Sequence, residues 1–599
     1  MHSPLSQLDD FREVVLLDTE FIARDGDKVV PVCIVAHELK SGRRHKLFFD
    51  DVPAIYDNPL PAGSDVLYVA YAAQAEWSAF LALGWPLPEH VLDLFAEFRC
   101  ITNGRTKADH SPVDTSMIAA LIHFGLDSIT VVEKESMRDL ILRGHPYSAA
   151  ERQWILDYCS QDVDALERLL PAILSGSNLP YSIFRGRYTK AVARMEFSGI
   201  PVDVVTMRRL EFRWEALKDK LAHDIESEYG FGVYDGTKWS NDRFETLLHR
   251  MGILDQWPCT PSGLLSVDDE DVFKPMSQRF PALAPLRDLR STLTHLRQLK
   301  ITVGKDGRNR CSLMPFRSVT GRNYPPSSKF IFGPSTWLRS LIKPEPGRAI
   351  AYVDWSSAEF GIAAALSGDL RMKAAYASGD IYMAFAIEAG AAPKGAKKAT
   401  HREIRDVFKI VVLATQYGQT AVGLAKKLGR PTWKAQELLD LHRRVYDTYW
   451  QWSEWMSQSA VFGRKTETVF RWPLHVTSRT KPNTVSNFPM QANGSEMLRW
   501  ACCYATERGV EIHAPVQDAL LVGGSVGEIE DVVATTQESM AQASDLVLDG
   551  FVLRTDTKIV RFPDRYSDER GAAMWTRVMR LLDDLETRSQ VDGEDSQAT

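Results

Sequence analysis

Four clusters of side chains in this chain have the types and spacing to act on phosphate. An apolar run, Val14 to Leu17, is followed by Asp18-Thr19-Glu20. In a strand, residues i and i+2 share one face, so both carboxylates point the same way. Two like charges held that close repel unless neutralised, and a divalent cation is the usual partner. Far downstream, Tyr158 and Asp162 stand four residues apart in a helical pattern, which puts a phenol and a carboxylate on one face. A phenol beside metal-held carboxylates can orient a water for in-line attack on phosphate, with two metals stabilising the attacking and leaving oxygens. In the second half of the chain an apolar strand ends in Asp354, with Glu359 on the turn into a helix. Asp518 lies between Ile512 and Leu520-Leu521-Val522, apolar arms that read as a hairpin with the acid at its tip. Fourth, Arg405, Lys409, Leu413 and Tyr417 recur every four residues and form one slowly turning helical stripe. Two cations four apart repel, and an anionic ligand such as a triphosphate would relieve them.

In this order and separation, Asp18, Glu20, Tyr158 and Asp162 resemble the DEDD-type 3′→5′ exonucleases, which have a ribonuclease H-like fold. The resemblance covers roughly residues 10 to 178. It implies Asp18, Glu20 and Asp162 as metal ligands and Tyr158 as the water-orienting residue. The family's middle motif is Asn, three residues, then Asp. Here Ala72 stands in the Asn place and Glu76 in the Asp place, so Glu76 is the expected fourth catalytic acid. Asp93 is a further acid expected near this site.

The second half resembles family A, polymerase I-like DNA polymerases, in a compact layout like that of phage enzymes. The segment Ala351-Tyr352-Val353-Asp354-Trp355-Ser356-Ser357-Ala358-Glu359-Phe360 carries the likeness, with Val516-Gln517-Asp518-Ala519, the stripe from Arg405, and Asn487-Phe488-Pro489-Met490-Gln491. The resemblance implies that Asp354 and Asp518 hold two Mg²⁺ ions, with Mn²⁺ able to substitute. Glu359 would be the steric gate against a ribose 2′-OH. Arg405 and Lys409 would bind the incoming triphosphate, and Tyr417 would lie at the nucleotide pocket. Tyr382, in Asp380-Ile381-Tyr382, would touch phosphate. Arg322, in Thr320-Gly321-Arg322, and Asn487, Gln491 and Gln517 would contact primer–template DNA. Where the family reads His-Asp-Glu, this chain has Gln517-Asp518-Ala519, and Leu413 holds a place commonly aromatic. The segment Met195 to Asp203 resembles the opening of the polymerase portion.

Positioning these residues needs strands that end in acids and long helices facing them, that is, an α/β multidomain chain. With 599 residues, more than one core is required. Strands are expected at 14–17, 30–36, 46–49, 66–71, 348–353 and around 510–523, with helices around 77–83 and 151–170 and over most of 185–300 and 370–460. The expected organisation is an exonuclease-like domain over 1–178, a connecting region and mostly helical thumb over 179–335, and a palm over 336–585 with fingers inserted near 370–465. The acidic residues 586–599 read as a disordered tail. A 5′-nuclease domain is not expected in this layout. Net charge is −7, which by itself argues for no nucleic-acid partner, yet Lys394 to Asp447 holds twelve Lys and Arg against five Asp and Glu. Seven cysteines without framework spacing read as reduced thiols, and no apolar run is long enough to span a bilayer, so a cytoplasmic protein is expected. The expected activity is template-directed DNA synthesis from dNTPs with 3′→5′ proofreading, and a processivity partner is left open. Two rival readings are an end-binding exonuclease with a non-catalytic hand, and a single-subunit RNA polymerase.

Overall fold

The structure is a computed structural model that describes residues 4–50, 56–107, 111–127, 131–260, 262–298, 300–416 and 418–595. Its N-terminal sheet has the order β3-β2-β1-β4-β5, made of β1 (Glu13–Ile22), β2 (Val30–Glu38), β3 (Arg44–Phe48), β4 (Val66–Ala70) and β5 (His90–Asp93). Strand β1 is antiparallel to β2 and parallel to β4. The apolar run in β1 does not alternate with polar residues because both faces of the sheet are covered. Val14 and Leu16 join the core built on α3 (Ala149–Leu174), while Val15 and Leu17 join the one built on α1 (Gln74–Leu83). Helix α2 (Leu94–Thr102) follows β5 directly, with Asp93 as its N-cap. Ser148 and Glu151 close a reciprocal capping box at the start of α3.

Helix α4 (Leu179–Ser198) carries the chain out of this unit and packs on β5. The approach is so close that a Cβ on Gly186 would sit 1.9 Å from the Val91 carbonyl oxygen. Helices between 204 and 298 form a mostly helical arm, and the stretch from 320 to 334 is loop-rich. The second sheet has the order β7-β8-β6-β9, from β6 (Arg348–Trp355), β7 (Glu511–Val516), β8 (Ala519–Ser525) and β9 (Thr555–Arg561). Between β6 and β7 along the chain come α5 (Ala358–Ser367), α6 (Ile381–Glu388), α7 (Arg402–Gln416) and α8 (Pro482–Glu507), of which α8 packs on β7.

Several elements differ from the sequence expectations. Strand β1 continues to Ile22, so Asp18 and Glu20 lie inside it and not at its end. Strands β5 and β9 were not expected. The acidic tail continues as one helix, α10 (Glu569–Asp595), with α9 (Ile529–Val547) before it. Its acids are not merely solvated: Arg209 pairs with Asp583 at 2.7 Å and with Glu586 at 2.6 Å, which ties α10 to the helical arm. Residues 596–599 and Tyr417 lie outside the described residues. All seven cysteines are free thiols. Among the described residues no helix is long and apolar enough to cross a membrane.

Candidate active sites

In the N-terminal unit, Asp18, Glu20 and Asp162 each offer a carboxylate oxygen, and the three oxygens lie within 4.8 Å of one another. Strand alternation turns Asp18 and Glu20 to the face covered by α3, where Asp162 is waiting. Cys159, on the same helix, donates to Asp18 Oδ2 at 3.3 Å. Burial first, and then the charges of Glu76, Asp162 and Glu20, push Asp18 well above the ordinary carboxylate range. Tyr158 is raised by burial and by the charges of Asp162, Glu20 and Asp18, which sets its phenol beside the trio. Three acids crowded this way form a donor set that suits a divalent metal.

Glu76 is not part of that trio. It stands on α1 and accepts from the hydroxyl of Thr19, and its charge is the largest of those that raise Asp18, so it lies beside the trio as a fourth acid. It is 4% exposed and itself raised by burial. Asp93 does not join the site. Its carboxylate accepts from the backbone N–H groups of Ala72 at 2.9 Å, Ala73 at 3.3 Å and Phe95 at 2.9 Å, so it anchors the starts of α1 and α2. Ala72 occupies a left-handed conformation with φ 62°, a strained position for a residue with a Cβ.

In the second sheet Asp354 is the next-to-last residue of β6, directly opposite Ala519 of β8. The tip between β7 and β8 is Gln517-Asp518, with Gln517 held at φ 59°. The two carboxylates of Asp354 and Asp518 come within hydrogen-bonding reach of each other. Burial, and then Asp518 and Asp556, push Asp354 up to about 7, and its Oδ1 is buried without a hydrogen-bond partner among the described residues. An orphaned anionic oxygen beside a second carboxylate is what a bound cation would satisfy, so this pair also fits a divalent metal.

A cavity of about 240 Å³ opens beside this pair, and Asp518, Gln517, Arg322, Glu359, Tyr382 and Leu413 all line it. The Arg322 guanidinium is 4.0 Å from Glu359. Arg405 and Lys409 converge on the Tyr382 ring, at 5.0 and 5.9 Å from its centroid. The two cations thus adjoin a residue that lines the cavity, but Arg405 is not uncompensated: its Nε donates to Asp380 at 2.6 Å. Helix spacing considered only partners on its own helix, and the acid comes from the N-cap of α6. Asn487 and Gln491 lie one turn apart and half-buried on α8, and Arg322 reaches the same helix at Gly494.

Residues 315–559 match the sequence model of DNA polymerase family A. That span contains the acid pair, the cavity and the cationic stripe. The chain carries a family A DNA polymerase domain. It is 24% identical to DNA polymerase I of Aquifex aeolicus (strain VF5) over 384 residues, 62% of this chain and 65% of that protein. It is 26% identical to DNA polymerase I of Chloroflexus aurantiacus over 497 residues, 73% of this chain and 50% of that protein. The chain therefore spans less than two thirds of the length of these relatives. A solved structure of the POL domain of Pol1 from M. smegmatis, in complex with DNA primer-template and dNTP, matches with a TM-score of 0.68 at 17% identity. The match covers 95% of this chain and 98% of that one, so the shared fold takes in the N-terminal sheet as well as the polymerase domain.

Two residues at the polymerase site escaped sequence reasoning. Asp556 of β9 is the register partner of Asp354 on the side away from Asp518, and it accepts from Ser356 Oγ at 2.5 Å. Its strand has too little apolar alternation to announce itself. Gln416, next to Tyr417 in sequence, also lines the cavity, and nothing in its local pattern marks it.

Proposed function

We propose that this chain performs template-directed DNA synthesis from dNTPs and trims mispaired 3′ ends in a separate, ribonuclease H-like N-terminal domain. The observation that carries the first part is one small cavity lined by Asp518, Glu359 and Tyr382, with Asp354 paired to Asp518 and with Arg405 and Lys409 against the Tyr382 ring. In this reading Asp354 and Asp518 are the two polymerase metal ligands. Divalent ions bound there, Mg²⁺ or Mn²⁺, supply Lewis-acid activation of a primer 3′-hydroxyl and neutralise the triphosphate.

The chain's own groups do the rest. Arg405 and Lys409 grip the triphosphate, with Arg405 exchanging Asp380 for the anion, and Tyr382 orients both cations. Glu359 fills the space of a ribose 2′-OH. Arg322, Gln517, Asn487 and Gln491 hold the primer terminus, and the amides among them serve the minor groove, where acceptors sit at similar places for every correct pair. Tyr417 is assigned to the nucleotide pocket on the family likeness. At the other site, Asp18, Glu20 and Asp162 are the metal ligands. Glu76 adds a fourth acidic charge beside Asp18, and Tyr158 orients the attacking water.

The test is extension and trimming measured together on one mismatched primer–template with Mg²⁺ and dNTPs. Trimming followed by extension is expected. Trimming without extension would leave an end-binding exonuclease with an inert hand, and preference for rNTPs would overturn the deoxynucleotide assignment.

A further inference from the structure

Gln416 closes α7, three residues beyond Leu413 and therefore on the same side of the helix. It lines the cavity with Leu413 and Glu359, is only 9% exposed, and its Nε2 is buried with no hydrogen-bond partner among the described residues. A buried amide donor left unmade costs about 1 to 3 kcal/mol. An apolar side chain of similar size would fill this position without that cost. Turned toward the cavity that Gln416 lines, the amide would gain its partner from an acceptor that enters there.

The geometry of α7 says which part of a ligand that is. At about 1.5 Å of rise per residue, Gln416 stands about 10 Å beyond Lys409 and about 16 Å beyond Arg405. With a triphosphate at the two cations, the amide faces the sugar and base. Base edges differ in the major groove, but purine N3 and pyrimidine O2 occupy equivalent acceptor positions in the minor groove. A single amide donor there serves all four nucleotides.

We propose that Gln416 donates a hydrogen bond from Nε2 to the minor-groove acceptor of the incoming base, making it a specificity residue that tests pair geometry without reading sequence. This rests on the polymerase reading above. The experiment is single-nucleotide insertion opposite a template dC, comparing dGTP with 3-deaza-dGTP, in which the N3 acceptor is replaced by C–H. Wild type should use the analogue with kcat/KM lower by roughly threefold to tenfold, the range of one net hydrogen bond. Gln416→Leu should lose a similar factor with dGTP and become indifferent to the replacement. Gln416→Met, an unbranched alternative, decides the matter if the leucine variant does not fold. A variant that keeps the wild-type preference for N3, or loses equally on both nucleotides, overturns the proposal. No insertion of either nucleotide by wild type would instead sink the polymerase reading, and the proposal with it.

Discussion

The seat between the N-terminal unit and the rest of the chain depends on a buried ion pair, and removing one partner should be costly. Arg185 on α4 donates to Glu97 on α2 through Nε at 2.6 Å and Nη2 at 2.9 Å, with side-chain exposures of 5% and 1%. Its Nη1 also donates to the Phe470 carbonyl at 3.3 Å, so one guanidinium touches both halves of the chain. Glu97→Gln leaves that guanidinium buried with only the charge of Glu496 nearby to offset it, which costs about 3 to 5 kcal/mol. Ser182 loses little, because its hydroxyl also bonds the Asn178 carbonyl at 2.9 Å. At about 2 to 4 °C per kcal/mol for a unit of this size, the transition of the N-terminal unit should fall by roughly 10 °C in calorimetry of the full chain. The double variant Glu97→Leu, Arg185→Met removes both charges and should recover most of the loss, to within about 2 kcal/mol of wild type. A fall of less than about 2 °C in the single variant would refute the reasoning. So would a double variant no more stable than the single one.

Other expectations are more direct. Asp354→Ala or Asp518→Ala should stop primer extension by more than the roughly hundredfold that loss of an outer-shell partner costs, while trimming persists; undiminished extension would show that the pair is not the polymerase site. Asp18→Ala should do the reverse, abolishing trimming and sparing extension on a matched primer. Glu359→Ala should raise ribonucleotide insertion relative to deoxynucleotide insertion by roughly tenfold or more, measured as a ratio of kcat/KM values. Asp93 supplies a pH test. Burial pushes it up to about 7 from an ordinary 3.8, so between those values the unfolded chain has released a proton that the folded chain keeps. Wild-type stability should therefore fall as pH rises across that window and level off above it, by something on the order of 4 kcal/mol. Asp93→Asn lacks this slope, so it should gain on wild type from acid to neutral pH in urea titrations; a constant difference across that range would contradict the account.

Spacing within one element was legible before any coordinates. The two-residue period of β1 implied that Asp18 and Glu20 share a face, and the four-residue period of α3 implied the same for Tyr158 and Asp162; these relations are local, set by backbone geometry alone. The apolar strands ending near Asp354 and Asp518 were visible for the same reason. What joined them was not. Packing of α1 on the sheet gave Glu76 its partner Thr19 and set its charge beside Asp18. Strand register put Asp556 beside Asp354. Packing between helices gave Arg405 its partner Asp380 and tied the acidic C-terminal helix to Arg209. Packing also left the Gln416 amide buried without a partner among the described residues. Each of these is a contact between segments distant along the chain, decided by burial and register competing over the whole fold, and no local pattern carries that information.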